Sequence, residues 1–256
     1  MIGDVVGSPG RDVCRELIPV LRKREELDFV VANGENMAGG SGITKPTVKE
    51  MFEAGVDVIT TGDHVFKRKE AYALLDETPN LLRPANYPVC SPGLGSYIYP
   101  LNDDIQIGVI NLLGRVFLNP IDCPFTRIKT IIDEMRKKTT VILVDFHAEA
   151  TSEKIALGWY LDGLVSAVYG THTHVQTADD AILPKGTAYI TDIGMTGPFR
   201  SVLGRDIDAV LSRFVTQMPS YFKVATEDLR MNGIIVDIDA ETGLAQSIKR
   251  VQEKLR

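Results

Sequence analysis

The chain has 256 residues, of which 44% are hydrophobic and 24% are charged, and its formal net charge is −6. This length allows one large domain or two small ones, with a sizeable core. The acidic balance argues against a protein that coats nucleic acid, so no stable nucleic-acid complex is expected. It leaves room for a small anion held by a metal ion, whose own charge dominates locally.

Cysteine usage and hydropathy indicate the compartment. The three cysteines are scattered along the chain and form no C-x-x-C pair, so a disulfide framework is not expected. No apolar run is long enough to span a membrane, and the start MIGDVVG lacks the basic residues and apolar stretch of a signal peptide. We therefore expect a cytoplasmic protein without a membrane partner, and a homo-oligomer remains open.

Strand-like and helix-like segments alternate as far as Thr191. Runs rich in valine and isoleucine predict strands over Phe29–Val31, Val56–Thr61, Ile105–Leu112, Val141–Phe146, Leu164–Tyr169 and Ala188–Thr191. Amphipathic patterns predict helices over Asp12–Glu25, Pro46–Ala54, Phe125–Lys137, Ser152–Leu161 and Asp206–Met218. Pro19 is expected to kink the first helix. This alternation indicates an α/β fold with mainly parallel strands.

The last part of the chain has a different pattern. Gly233–Asp239 and Leu244–Val251 read as an antiparallel hairpin around a four-residue turn, so we expect a mixed sheet or two packed sheets. Residues 76–104 contain five prolines and read as a structured but irregular excursion. We predict a single domain over residues 1–256, with a small cap over the site near residues 65–104.

The placement of the histidines is the main functional signal. Each histidine of the chain lies at the end of a strand-like segment: His64, His147, His172 and His174. Two other strand-like segments end in Asp4 and in Glu35 with Asn36, and Asp63 directly precedes His64. Strands of open α/β sheets deliver functional groups at their carboxyl ends, so we expect these side chains to converge. Imidazole and carboxylate together are typical of a transition-metal hydrolase.

Three short motifs carry the candidate ligands. In an extended chain, side chains two residues apart point the same way, so both imidazoles of His172 and His174 could face one metal cluster. Exposed loop histidines are the alternative. Glu35 could bridge two cations through its two oxygens, with the Asn36 carbonyl as a neutral ligand, unless NGEN is only a polar turn.

Asp63 suits a metal ligand, and its neighbour His64 would then point past the metal ions toward the substrate. Imidazole titrates near neutral pH, so His64 is a candidate general acid. The alternative is that His64 caps the helix that follows.

Further residues are candidates for supporting contacts. The turn Gly7–Gly10 precedes a helix and could receive a phosphate, and Gly194–Gly197 could either line the site as a loop or be a plain turn. Asp145 or Glu149 could orient the ring of His147. Basic side chains that could contact a phosphate, or remain solvated, are Lys67, Arg68, Arg115 and Arg200.

The order of these residues along the chain resembles that of the calcineurin-like metallophosphoesterases. More narrowly, GDVVGSPGRD, VVANGENMAGGSGIT, GDHVFKRKE, DFHAEATSEK, YGTHTHVQTAD and TDIGMTGP resemble the YmdB-like family, essentially throughout the chain. The resemblance implies a sandwich of mixed β-sheets flanked by helices. It also implies a dinuclear phosphodiesterase that hydrolyses 2′,3′-cyclic nucleotides or related phosphodiesters.

The resemblance also implies a role for each site residue. The ligands of one ion would be Asp4, Glu35, Asn36 and His174. The ligands of the other would be Glu35, Asp63, His147 and His172, so that Glu35 is shared. His64 would donate the proton. Iron is the expected metal, and manganese or zinc would suit the same oxygen and nitrogen ligands.

Some positions depart from the family pattern. Asp63 stands where the family has asparagine, and the added negative charge should tighten cation binding and raise the pKa of the bound water. Phe66 and Lys67 replace a Trp-Asp pair. Only Met1, Ile2 and Gly3 precede Asp4, so we expect either a short first strand or a start upstream of Met1.

These departures leave other functions open. The main alternative is a metal- and nucleotide-binding regulatory protein with little turnover. A metal-stabilised scaffold and a phosphomonoesterase are further alternatives.

Overall fold

The computed structural model describes residues 1–255. Its helices are α1 (Gly7–Arg24), α2 (Lys45–Glu53), α3 (Glu70–Glu77), α4 (Pro124–Met135), α5 (Thr151–Leu161) and α6 (Ile207–Thr216). Its strands are β1 (Asp4–Val5), β2 (Val31–Asn33), β3 (Val58–Thr60), β4 (Ser96–Pro100), β5 (Gln106–Leu113), β6 (Val141–His147), β7 (Ala167–Thr171), β8 (Ala181–Ile182), β9 (Ala188–Ile190), β10 (Met195–Pro198), β11 (Leu229–Ile238) and β12 (Ala245–Lys254).

One sheet has six strands in the order β4-β5-β6-β7-β9-β8. Its central strands β5, β6, β7 and β9 are parallel, as the alternation of strands and helices predicts. The edge strands β4 and β8 are antiparallel to their neighbours. This sheet is therefore mixed.

The second sheet combines β1-β10-β11-β12 with the parallel pair β2-β3. Ile2 joins the two parts, because it forms one bridge with Ala32 and another with Gly233. The predicted carboxyl-terminal hairpin is confirmed, since β11 and β12 pair antiparallel over their length. The first strand is short, at two residues.

The two sheets pack face to face, and helices cover both outer faces. Alternate residues of β6 separate the cores: Leu143 contributes to the core between the sheets, whereas Ile142 and Val144 pack toward α4 and α5. A third core lies under α1, α2 and α3. The order of layers is therefore helices, sheet, sheet, helices. This confirms the predicted sandwich of mixed β-sheets flanked by helices.

The first helix begins at Gly7, five residues before the predicted Asp12. Pro9 fits an early helical position because its missing N–H has no helical partner there. The helix continues through Pro19 to Arg24. Strand β2 lies two residues later than predicted, because the Val30 amide bonds the Asp57 side chain at 2.7 Å instead of a neighbouring strand.

The stretch predicted to be irregular contains two regular elements, α3 and β4. Helix α3 has only eight residues and no side-chain cap, so its sequence signal is weak. Strand β4 is only partly buried and pairs antiparallel with β5. The segment also places Leu75 in the helix-covered core and Leu82 between the sheets. The single domain and the cap remain predictions.

Within residues 1–255, the helices are all too short or too polar to cross a bilayer.

Replacing a side chain between the sheets should destabilise the whole sandwich. Leu143 is 3% exposed, and we expect Leu143→Ala to lower the free energy of unfolding by about 2–5 kcal/mol because a cavity remains. Leu211→Ala is the matched control, since Leu211 is 52% exposed, and it should change this free energy by about 0.5 kcal/mol or less. Urea unfolding measures both, and equal effects would contradict the assignment of Leu143 to the core.

Candidate metal centre

The site lies where the core between the sheets reaches the carboxyl ends of the strands. The period of two along β6 directs Leu143, Asp145 and His147 to the face that meets the other sheet. Leu143 contributes to the apolar core there, whereas Asp145 and His147 are fully buried polar groups farther along the strand. The polar centre is therefore a continuation of the core.

Four of the predicted ligands form one compact group. One ligand atom from each of Glu35, Asp63, His147 and His172 lies within 4.8 Å of the others. Nε2 of His147 is 3.3 Å from a Glu35 oxygen and 3.4 Å from Oδ1 of Asp63. Nδ1 of His172 is 3.0 Å from the same Nε2 atom. This group could hold a metal ion.

The other predicted ligands lie beside this group. Nε2 of His174 is 4.0 Å from Oδ1 of Asp4 and 3.2 Å from the Asn36 amide nitrogen. The same nitrogen donates to Oε1 of Glu35 at 3.0 Å. Glu35 therefore contacts both sets of residues, as a bridging ligand would.

The donor set fits a cation on two grounds. The buried oxygens Oδ1 of Asp4 and Oδ1 of Asp63 have no hydrogen-bond partner, and unpaired buried charge is costly unless a cation offsets it. Gly62 also allows the ligand side chains to approach the backbone closely, because a Cβ at this position would collide with the His147 ring and the Glu35 carboxylate. Nitrogen and oxygen ligands without a thiolate favour iron, manganese or zinc over softer metal sites.

The pKa values of Glu35 and His172 favour the protonation states that bind a cation. Burial opposes charge on Glu35, but His147 and His64 outweigh it and hold the pKa of this carboxyl well below its usual range. Burial, followed by the neighbouring charge on His147, lowers the pKa of His172 to about 4. Glu35 is therefore ionised and His172 neutral at pH 7, and these are the forms that bind a metal ion. Burial opposes charge on His147, but Glu35 and Asp63 outweigh it and raise the pKa of this imidazole well above its usual value, so a metal ion would have to displace a proton from it.

The turn that carries His172 and His174 differs from its prediction. Strand β7 ends at Thr171, and the extended conformation expected for His172-Thr173-His174 is wrong. Both histidines have a positive φ, 98° at His172 and 66° at His174. Their imidazoles still reach the site, and His172 joins Glu35 and Asp63 whereas His174 faces Asp4. Left-handed backbone at residues other than glycine is costly and is concentrated at functional sites.

His64 lies at the edge of the site. Its Nδ1 atom is 2.9 Å from Oδ1 of Asn36 and 3.2 Å from Oε1 of Glu35. The hydrogen bond to Glu35 is the main reason that the pKa of His64 is raised. The alternative role of His64 as a helix cap is wrong, because α3 begins at Glu70 and Lys69 occupies its N-cap position.

A buried hydrogen-bond chain orients His147. Thr171 donates to Oδ1 of Asp145 at 2.7 Å, and the Thr171 oxygen lies 2.9 Å from Nδ1 of His147. A hydroxyl has a single proton, so Thr171 accepts the Nδ1 proton of His147 and leaves Nε2 to face the cluster. Glu149 contacts Nε2 of His172 at 3.1 Å, which differs from its predicted role beside His147.

The remaining predicted contacts have mixed outcomes. Gly7–Gly10 begins α1, as a helix-start phosphate site requires. Gly194–Gly197 is not a loop over the site, because Met195 and Thr196 pair with β1 inside the sheet. The side chains predicted to contact phosphate are all exposed: Lys67, Arg68, Arg115 and Arg200. Arg200 forms a surface ion pair with Glu227.

Several residues at the site carried no sequence signal. Asn33 donates to Oδ2 of Asp145 at 3.1 Å, although its place in NGEN could have suggested a structural role. Asp192 accepts from Thr173, and Lys154 pairs with Asp192 at 2.6 Å. Tyr87 lies near enough for Asp63 and Glu35 to add to the effect of burial, which raises its pKa to about 12.

The layered sandwich with imidazoles and carboxylates at its strand ends has the architecture of a metallophosphoesterase. A family model described as YmdB-like protein matches residues 1–251, and the chain belongs to this family. It is 50% identical to a 2′,3′-cyclic-nucleotide 2′-phosphodiesterase of Bacillus subtilis (strain 168), over 98% of this chain and 94% of the relative.

Solved structures agree with the family assignment. A hypothetical protein from Thermus thermophilus superimposes with a TM-score of 0.92 at 40% identity, covering 99% of this chain and 97% of that one. A protein described as a novel phosphatase from Mycoplasma pneumoniae also has a TM-score of 0.92, at 33% identity, covering 99% of this chain and 92% of that one.

Asp145→Asn should weaken metal binding by about 10–100-fold, the usual effect of losing a partner that orients a ligand. The Asn33 amide nitrogen can only donate, so the asparagine oxygen must face it and the asparagine nitrogen must face Thr171. The Thr171 hydroxyl then has to reverse and donate toward His147, and the Nδ1 proton of His147 loses its acceptor. Titration calorimetry with Mn²⁺ measures the affinity. Asp237→Asn, at an exposed position of β11, is the control and should leave the Mn²⁺ affinity unchanged. Unchanged Mn²⁺ affinity in folded Asp145→Asn protein would contradict the role of the Asp145–Thr171–His147 hydrogen bonds.

Proposed function

We propose that this protein is a metal-dependent phosphodiesterase that hydrolyses 2′,3′-cyclic nucleotides or related small phosphodiesters. The single observation that carries the proposal is the convergence of Glu35, Asp63, His147 and His172 within 4.8 Å. The name of the Bacillus subtilis relative, at 50% identity over nearly the whole chain, supports the substrate class.

We assign two ions to the site. Glu35, Asp63, His147 and His172 would hold one, and Asp4, Glu35, Asn36 and His174 the other. The Asn36 oxygen faces His64 and its nitrogen faces His174. Ligation through the oxygen requires a flip of the amide, whose two orientations are assigned only from hydrogen bonds. Iron is our first assignment, with manganese or zinc as alternatives.

When bound, two such cations would supply Lewis acidity and lower the pKa of water, so that a nucleophile forms near neutral pH. The contribution of this chain is to hold the cations by buried groups and to present a proton donor. His64 has a side chain that is 28% exposed and a raised pKa. The raised pKa favours the protonated form, and the exposed part of the ring is reachable by a substrate, as a general acid for the leaving oxygen must be.

We further propose that the protein acts in the cytoplasm on a small nucleotide. Its cysteines are free, and Cys14 is buried while Cys90 is exposed, as suits a reducing compartment. The second candidate is a regulatory protein that binds metal and nucleotide with little turnover. Asp63 favours it, because a third carboxylate beside Asp4 and Glu35 binds cations more tightly and makes a bound water less acidic.

Turnover separates these functions. Protein purified without oxygen should contain metal and should hydrolyse bis-p-nitrophenyl phosphate and 2′,3′-cyclic AMP with added Mn²⁺. The corresponding monoesters should react much more slowly. Metal content without diester turnover would support the regulatory candidate, and preference for monoesters would replace the diesterase assignment.

His64→Ala should lower kcat on 2′,3′-cyclic AMP by about 10²–10⁴-fold, since a proton donor in the transition state contributes that much. Metal content should remain that of the wild type, because His64 is not assigned as a ligand. Lys69→Ala, at an exposed position five residues along the chain, is the control and should keep full activity. Full turnover by metal-loaded His64→Ala protein would remove this residue from the mechanism.

Asp63→Asn should weaken Mn²⁺ binding by at least about tenfold, because one of the carboxylates is lost. The acidic limb of the pH–kcat profile should also move to lower pH. With less negative charge at the reacting centre, the group that must lose its proton does so more easily. Glu134→Gln on the exposed face of α4 is the control. An unchanged profile would show that Asp63 does not set the working pH.

A further inference from the structure

A buried ion pair lies behind the turn that carries two of the assigned ligands. Nζ of Lys154 is 2.6 Å from Oδ2 of Asp192, and the two side chains are 1% and 0% exposed. Lys154 extends from α5 past Gly170, where a Cβ would lie 2.9 Å from its Cδ atom. Full burial of such a pair is tolerated only when further hydrogen bonds satisfy it.

Those further hydrogen bonds lead to the turn. Oδ2 of Asp192 accepts from the Thr173 hydroxyl at 2.7 Å and from the Thr173 amide at 3.2 Å. Thr173 stands between His172 and His174, whose positive φ values are disfavoured for residues with a Cβ. The turn therefore needs an external restraint, and the contacts of Thr173 provide one.

The other oxygen of the same carboxylate leads to a third ligand. Oδ1 of Asp192 accepts from the Gly194 amide at 2.8 Å, and the Gly194 carbonyl accepts from the Asp4 amide at 3.1 Å. Asp4 in turn accepts from the His172 amide at 3.0 Å. One carboxylate thus connects the residues that carry Asp4, His172 and His174.

We propose that the buried Lys154–Asp192 pair is a positioning device that holds Thr173 and thereby directs His172 and His174 to opposite halves of the metal centre. The Asp192 carboxylate accepts hydrogen bonds through both oxygens, from Lys154 and Thr173 at Oδ2 and from the Gly194 amide at Oδ1. This inference rests on the metal centre in the proposed function, but not on which phosphate ester is hydrolysed.

Variants of Thr173 test the device without disturbing the buried charges. Thr173→Val removes the hydroxyl at nearly constant volume and should raise the Kd for Mn²⁺ at least tenfold. Thr173→Ser keeps the hydroxyl and should restore the Kd to within about threefold of the wild type. With saturating Mn²⁺, KM for 2′,3′-cyclic AMP should stay within twofold in both variants, because Thr173 is not assigned to contact the substrate.

Thr187→Val is the structural control. Thr187 is fully buried, and its hydroxyl donates to the Val165 carbonyl at 2.7 Å, just before strands β9 and β7 and among residues that are not ligands. It should lower the melting temperature of protein kept in EDTA while leaving Mn²⁺ affinity unchanged. If Thr173→Val also lost only stability and kept its Mn²⁺ affinity, the positioning role would be wrong.

Lys154→Met tests the ion pair itself and should raise the Kd for Mn²⁺ at least tenfold in folded protein. If this variant does not fold, the Mn²⁺ affinities of Thr173→Val and Thr173→Ser alone decide whether the pair positions the turn. Mn²⁺ binding is measured by calorimetry without substrate. Wild-type protein that bound Mn²⁺ but hydrolysed no diester would overturn the proposed function and leave the affinity comparison valid.

Discussion

The site depends on the hydrogen bonds that the buried carboxylate of Asp145 accepts. The carboxylate ends the apolar core between the sheets, and its donors come from three other strands: Asn33 of β2, Thr60 of β3 and Thr171 of β7. Each hydrogen bond to a charged group contributes about 1.5–3 kcal/mol, and the loss of all of them would leave a buried charge unpaired. This carboxylate therefore fixes the two sheets relative to each other where the assigned ligands begin. Burial raises its pKa to about 6, so ionisation depends on these donors.

The sequence allowed the location of the centre to be predicted, because location follows from local rules. Parallel strands deliver their next residues to one edge, and this places His147 near the residues that follow β2 and β3. Alternation of strands and helices also predicted the layers. Neither inference needs a long-range partner to be identified, and this is why both succeed from a single chain.

The parts that could not be predicted depend on contacts between distant segments. The left-handed turn at His172 and His174 is disfavoured by its own residues and is held by Asp192, about 20 positions away. A lysine in an amphipathic pattern reads as a solvated residue, so the burial of Lys154 had no local signal. Helix α3 is short and uncapped, and its stability comes from leucines packed against other elements.

The scattering of the assigned ligands between residues 4 and 174 also determines when an ion can be taken up. The unfolded chain holds no two of these groups at the spacing that a cation requires, apart from close neighbours such as Glu35 and Asn36. An ion bound by this set would therefore report that both sheets have docked, and it would stabilise the folded chain and not the unfolded one.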